Sequence, residues 1–138
     1  MLGRLRLMRV HGRSMQPALR DGDLVIVGRG QRPDPPRRGD VIALRPQSMN
    51  GRSLVKRVIG VPGDHIALAG RRWSLKEDEF FVLGDQADGS TDSRSFGPVP
   101  SQEVIGWVWF RLWPGPQRVT HRNVPNFRVL GQDDATVG

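Results

Sequence analysis

The chain is cut into short pieces by its own turn residues: 17 glycines and 11 prolines interrupt 138 residues. Long helices cannot form across such punctuation, whereas short strands joined by turns can. The runs between the breaks read as strands. Arg4 to Val10 alternates basic and apolar residues, as a half-buried strand does. Leu24-Val25-Ile26-Val27 is continuously apolar, which predicts a strand buried on both faces. Val41-Ile42-Ala43-Leu44, Ser53 to Val61, Phe80-Phe81-Val82-Leu83 and Val104 to Leu112 follow the same logic, and Ile66 to Leu68 with Arg72 to Leu75 forms a small hairpin. Between them, Arg20-Asp21-Gly22-Asp23, Arg38-Gly39-Asp40 and Val61-Pro62-Gly63-Asp64 are turns. Gly84 to Arg94 is a long turn-rich segment. Evenly spaced short strands predict an all-β, barrel-like domain over residues 1–119, followed by a weakly structured tail over 120–138.

Several function classes fall away on composition. The chain has no cysteine, so disulfides, thiol catalysis and thiolate metal sites are excluded. The net charge of +7 comes mostly from scattered arginines. Without a basic helical face interleaved with aromatics, they indicate a solvated basic surface rather than a nucleic-acid partner. No apolar run approaches the roughly 18 residues of a membrane-spanning helix, and Met1 to Met8 is too short and charged for a signal peptide. A complete chain of this kind is expected to be soluble and cytoplasmic. The alternative is membrane association through an anchor that precedes it, with an extracytoplasmic site.

Chemistry concentrates around Gly12-Arg13-Ser14-Met15-Gln16-Pro17-Ala18-Leu19, which sets one serine in a tight, glycine-flanked corner. A serine hydroxyl is a weak nucleophile at neutral pH and needs a base beside it. His11, His65 and His121 are the histidines, and none stands in a recognisable triad context. Lysine is the other option. Lys56 lies in an apolar strand with Val55, Val58, Ile59 and Val61, where burial would favour its neutral form. The pattern also allows a lysine at a strand edge with its amine in water, and the residues alone leave both readings open.

Four blocks in order resemble the bacterial type I signal peptidases, a family of Ser/Lys endopeptidases. They are Gly12 to Leu19, Arg38 to Ile42, Lys56-Arg57-Val58-Ile59-Gly60-Val61-Pro62-Gly63-Asp64, and Gly84-Asp85-Gln86 with Ser90-Thr91-Asp92-Ser93-Arg94-Ser95-Phe96-Gly97-Pro98-Val99. The resemblance implies a β-barrel and β-ribbon catalytic core, with Ser14 as nucleophile and Lys56 as neutral general base. It implies the Ser14 backbone N–H as oxyanion donor, Ser90 orienting the lysine amine, and Asp92, Arg94 and Asp85 as structural support. Met15 and Ile59 are expected to line a substrate pocket for small side chains. Gly12 stands where some members carry a second, hydroxyl oxyanion donor, and Gln86 stands where Asn is usual. The spacing from Asp64 to Gly84 leaves no room for a large inserted domain.

Ser90 to Gly97 and Arg111-Leu112-Trp113-Pro114 also resemble the compact branch known as nickel superoxide dismutase maturation proteases. That implies removal of a short propeptide from an extended N-terminal leader, with no cofactor or metal and no required membrane contact. The competing readings are a leader peptidase at a membrane, with Trp107, Trp109 and Trp113 as an interfacial patch, and a self-cleaving repressor fragment of the SOS type. A third is a catalytically inactive binding module.

Overall fold

The structure, a computed structural model, describes residues 4–29, 35–86, 90–119 and 128–130. Its strands are β1 (Arg4–Arg9), β2 (Leu24–Arg29), β3 (Val41–Leu44), β4 (Leu54–Gly60), β5 (His65–Leu68) and β6 (Arg71–Ser74), then β7 (Glu79–Leu83), β8 (Val99–Pro100), β9 (Val104–Trp113), β10 (Gln117–Arg118) and β11 (Arg128–Leu130). A single helical turn, α1 (Ser93–Phe96), interrupts them. The main sheet runs β1-β2-β9-β3-β4-β7-β8, with β10 added to β9, and the small sheet runs β11-β5-β6. The fold is all-β, a curled antiparallel half-barrel.

Curling has a local cause. Register shifts interrupt the pairing of β2 with β9, β3 with β9, and β4 with β7. Each extra residue bends its strand and increases the twist. The long strand β9 lies at the centre, opposite Ile26 through Phe110 and opposite Ile42 through Trp107. At Gly106 the backbones come so close that a Cβ would lie 2.3 Å from the Gly28 carbonyl oxygen.

One apolar cluster joins Val25, Val27, Val41, Ala43 and Val108 to Val10, Met15 and Leu19, so the Ser14 turn is nailed to the sheet on both sides of the serine. A second cluster gathers Ile42, Leu44, Val58, Phe80, Val82 and Val99. The third, with Ile59, Ile66, Leu75, Phe81 and Leu83, welds the two sheets together. Here Gly60 has no room for a side chain: a Cβ would sit 2.7 Å from Ile66 Cδ1.

One expectation needs correction. β2 is not buried on both faces: Val25 and Val27 point into the core, while Leu24 and Ile26 are half-buried. Nothing among the described residues covers that outer face, and Leu5, Leu7, Phe110, Leu112 and Trp113 are exposed on the same strands and their neighbours. The tryptophans also separate. Trp107 packs on the second cluster and Trp109 is half-buried, whereas Trp113 is exposed, with the Arg9 guanidinium 6.0 Å from its ring. Of the expected tail, 128–130 pairs with β5, and the remainder, with His121, lies outside the described residues.

Phe81 is fully buried at the weld between the sheets. Phe81→Ala is expected to lower the unfolding free energy by about 3–5 kcal/mol. Trp113→Ser should change it by no more than about 0.5 kcal/mol. Urea titrations of both variants check the pair, and equal losses would contradict this division between core and outer face.

Candidate active site

Ser14 owes its position to its neighbours. Met15 and Leu19 are each 1% exposed, fixed in the core, and the turn between them is closed by a hydrogen bond from Leu19 N to the Met15 carbonyl. Gly12 enters the turn at φ +88°, a conformation suited to glycine, and its N–H donates to Asp21 Oδ1 at 2.7 Å. From across the structure, Gln86 N donates to the Ser14 carbonyl at 2.8 Å.

Lys56 comes from β4, opposite Ile42 of β3. It is 3% exposed, and its Nζ lies 2.8 Å from Ser14 Oγ and 3.2 Å from Ser90 Oγ. The open question about this lysine is thereby answered: the amine is buried beside the serine. Ser90 Oγ–H donates onward to Asp92 Oδ2 at 3.0 Å. Asp92 is fully buried and caps α1. Its carboxylate accepts from Arg94 Nη2 at 2.7 Å, Arg94 Nε at 2.9 Å, and the Gly84 and Arg94 backbone N–H groups at 3.1 Å each.

Burial sets the ionisation. It is the main cause that lowers the Lys56 pKa from the ordinary 10.5; the Asp92 charge pulls it back up and the Arg94 charge pushes it down. Burial alone would raise Asp92, but the Arg94 side-chain hydrogen bond, then the Gly84 and Arg94 N–H groups, overcome it and hold the carboxyl below 3.8.

The residue after Lys56 faces a different partner. Arg57 donates through Nε and Nη2 to the two Asp85 oxygens at 2.8 Å each, and through Nη1 to the Gly39 carbonyl at 2.8 Å. This bidentate pair, 1% and 0% exposed, fastens β4 to the segment leading to Ser90. Sequence reasoning singled out Asp85 but not its partner, although an arginine inside an apolar strand signals that a carboxylate must meet it. Gly84 was also missed as a site residue. A Cβ there would lie 2.3 Å from Ser90 Oγ and 2.7 Å from the Ser14 carbonyl, so the two serines can converge only around a glycine.

Beside this network lies a cleft of about 400 Å³, lined by Met8, Val10, Ser14, Met15, Val55 and Lys56 among others. Met15 is at its wall. Ile59 is not: its side chain packs with Phe81 and Leu83 in the weld between the sheets, because residues three apart on a strand point to opposite faces. Of the histidines, His11 is exposed at the cleft margin, and His65 Nδ1 pairs with Ser74 Oγ at 3.0 Å on the small sheet. Among the described residues, no group of histidines and carboxylates is gathered to hold a metal ion.

The model of the family described as signal peptidase, peptidase S26, matches residues 4–73 and 69–113, a span that contains the network from Ser14 to Arg94. The chain belongs to the signal peptidase family. It is a serine endopeptidase of that type. Mitochondrial inner membrane protease subunit 1 of Xenopus tropicalis is 31% identical over 125 residues, covering 86% of this chain and 75% of the relative. Signal peptidase I of Bacillus caldolyticus is 34% identical over 146 residues, covering 78% and 79%. A mitochondrial ATP-independent inner membrane protease subunit 1b of Arabidopsis thaliana is 36% identical over 116 residues, covering 75% and 68%. These relatives are proteases named for a membrane or for signal peptides; among the described residues of this peptidase, no helix is long and apolar enough to cross a membrane.

The lowered Lys56 pKa also couples stability to pH. Between its folded value and 10.5, the unfolded chain binds a proton that the folded chain does not, so stability should rise with pH across that window. Asp92 acts at the other end: its contribution is complete above 3.8 and is lost as pH falls through its lower folded value. The chain has Lys56 and Lys76 as its lysines and neither tyrosine nor cysteine, so few other side chains titrate in the alkaline window. Urea midpoints measured against pH should climb on the alkaline side for the wild type and climb less for Lys56→Met. Parallel curves would show that the lysine is not buried.

Proposed function

We propose that this peptidase cleaves N-terminal leaders by a Ser14–Lys56 dyad. The observation that carries the reading is the 2.8 Å contact between Ser14 Oγ and the Nζ of a lysine only 3% exposed. With Nζ neutral, Ser14 O–H donates to its lone pair, Nζ–H donates to Ser90 Oγ, and Ser90 O–H donates to Asp92. Each of these three hydrogen bonds then has one donor and one acceptor, and the lone pair is aimed at the nucleophile. As Oγ attacks the scissile carbonyl, its proton moves to Nζ. The resulting ammonium protonates the leaving amine, and an ester on Ser14 remains. Neutral again, Lys56 takes a proton from the water that hydrolyses this ester.

The oxyanion would meet the Ser14 backbone N–H, which engages no acceptor among the described residues. Gly12 adds no side-chain donor. Arg94 and the Arg57–Asp85 pair act through others: Arg94 keeps Asp92 ionised, and Arg57–Asp85 holds β4 against the loop.

An extended substrate suits the cleft. β1 is the outermost strand of its sheet. The β7 pairing on β4 starts only at Arg57, so among the described residues Leu54 to Lys56 present a free edge as well. A leader lying between these edges is held through its backbone, which leaves side-chain selection to the walls. Within the leader class, we assign the propeptide of nickel superoxide dismutase as substrate, on the resemblance of Ser90 to Gly97 and Arg111 to Pro114, with the reaction running in the cytoplasm. The second reading, a secretory leader cut at a membrane, draws on the exposed Leu5, Leu7, Phe110, Leu112 and Trp113.

Ser14→Ala and Lys56→Met should each reduce cleavage by about 10⁴-fold or more while leaving the fold intact, because the pair works as one unit. Mass spectrometry of a nickel superoxide dismutase precursor and of a secretory precursor with an Ala-x-Ala site, each with and without lipid, reads both mechanism and substrate. Full activity of Lys56→Met would sink the dyad. Preference for the secretory precursor with strong lipid stimulation would move the assignment to the second reading. The profile of kcat/KM should rise with pH along one limb centred below 10.5, because protonation of Lys56 removes the lone pair. A limb that moves when His11, His65 or His121 is replaced would contradict this.

A further inference from the structure

Among the described residues, the cleft beside Ser14 and Lys56 has a one-signed lining: it includes Arg9, His11 and Arg52 and no acidic side chain. Arg52 is exposed, and its guanidinium makes no hydrogen bond or ion pair among the described residues. Arg45, also exposed, reaches the same rim, with Nη2 3.4 Å from Ser53 Oγ. Arg9 is held in place by donating to the Gly22 carbonyl at 2.7 Å. The acids closest in the chain point elsewhere, Asp21 to the Gly12 N–H and Asp23 to the Arg20 N–H.

We propose that this rim selects leaders by charge, favouring an acidic side chain about three to five residues from the scissile bond and disfavouring a basic one there. The spacing follows from strand rise. Arg52 precedes Lys56 by four positions on a segment that enters β4 at Leu54, which at about 3.3 Å per residue is the reach of about four residues of an extended peptide. Of the three arginines, Arg52 is the specificity-determining one, since it is both in the lining and without a partner among the described residues. The proposal deepens the dyad reading and rests on it. Exposed charges act weakly one at a time, so each acidic residue is expected to contribute up to about fivefold, screened as salt is raised.

The test uses synthetic neutral peptides with a small residue at the cleavage point and with Asp or Lys moved through positions on either side. Wild-type kcat/KM should be up to about fivefold higher for Asp and lower for Lys at the favoured positions, and Arg52→Glu should reverse the order. Fluorescence anisotropy of the same peptides on Ser14→Ala measures binding without any dependence on chemistry. Charge-selective binding without wild-type cleavage would sink the dyad and sustain the selectivity. Cleavage and binding indifferent to Asp and Lys, with Arg52→Glu unchanged, would overturn the selectivity and leave the dyad standing.

Discussion

Everything in this molecule bears on keeping an amine out of water next to a hydroxyl. An ammonium in bulk solvent is useless as a base, and an ammonium in a dry core is expensive. Lys56 resolves the conflict by giving up its proton more readily than a solvated lysine does. Its strand must therefore be covered, and the cover must include hydrogen-bond partners that fix the direction of the lone pair. Ser14 and Ser90 supply them from two stretches of chain that meet around Gly84. The sheet exists around this contact in the sense that β3, the Ser14 turn and the Ser90 segment meet at the same residue.

For the proposed dyad, a buried carboxylate near a lysine that must be neutral is a contradiction in charge, since it draws the proton back. Arg94 removes most of the contradiction. Bound twice to Asp92 and partly open to solvent, it neutralises the acid and opposes the charge of Lys56 at once. Ser90 then transmits the orientation of Asp92 to the amine without transmitting a full negative charge. An Asp92 left without Arg94 would be an acceptor of the right shape with the wrong electrostatics.

The order of strands was legible because glycine and proline mark each end, and backbone geometry alone forces those turns. Residues 53–61 read correctly as the strand bearing Lys56. Whether its amine was wet or dry was not legible, because that depends on Gly84, Ser90, Asp92 and Arg94, a separate stretch of chain whose return to β4 no local pattern encodes. Arg57 lay in plain view beside it and was overlooked for the same reason: its partner Asp85 is remote in sequence. Ile59 was misassigned to the cleft because proximity to Lys56 along the chain stood in for direction, and the alternation of a strand turns its side chain to the other face, into the weld with the small sheet. Leu24 and Ile26 misled differently. Continuous apolarity says that a strand can be covered on both faces, not that a cover exists.

The free edge of β1 has a bearing on solubility at high concentration. An unpaired strand edge invites another copy of the same edge to add on, the first step of sheet-to-sheet aggregation. Here the strand reads Arg-Leu-Arg-Leu-Met-Arg, and a second copy paired antiparallel over the same six residues would set Arg4 against Arg9 at both ends. A lone peptide without arginines at those places meets no such repulsion. The edge can stay open for a guest because it is hostile to its own kind.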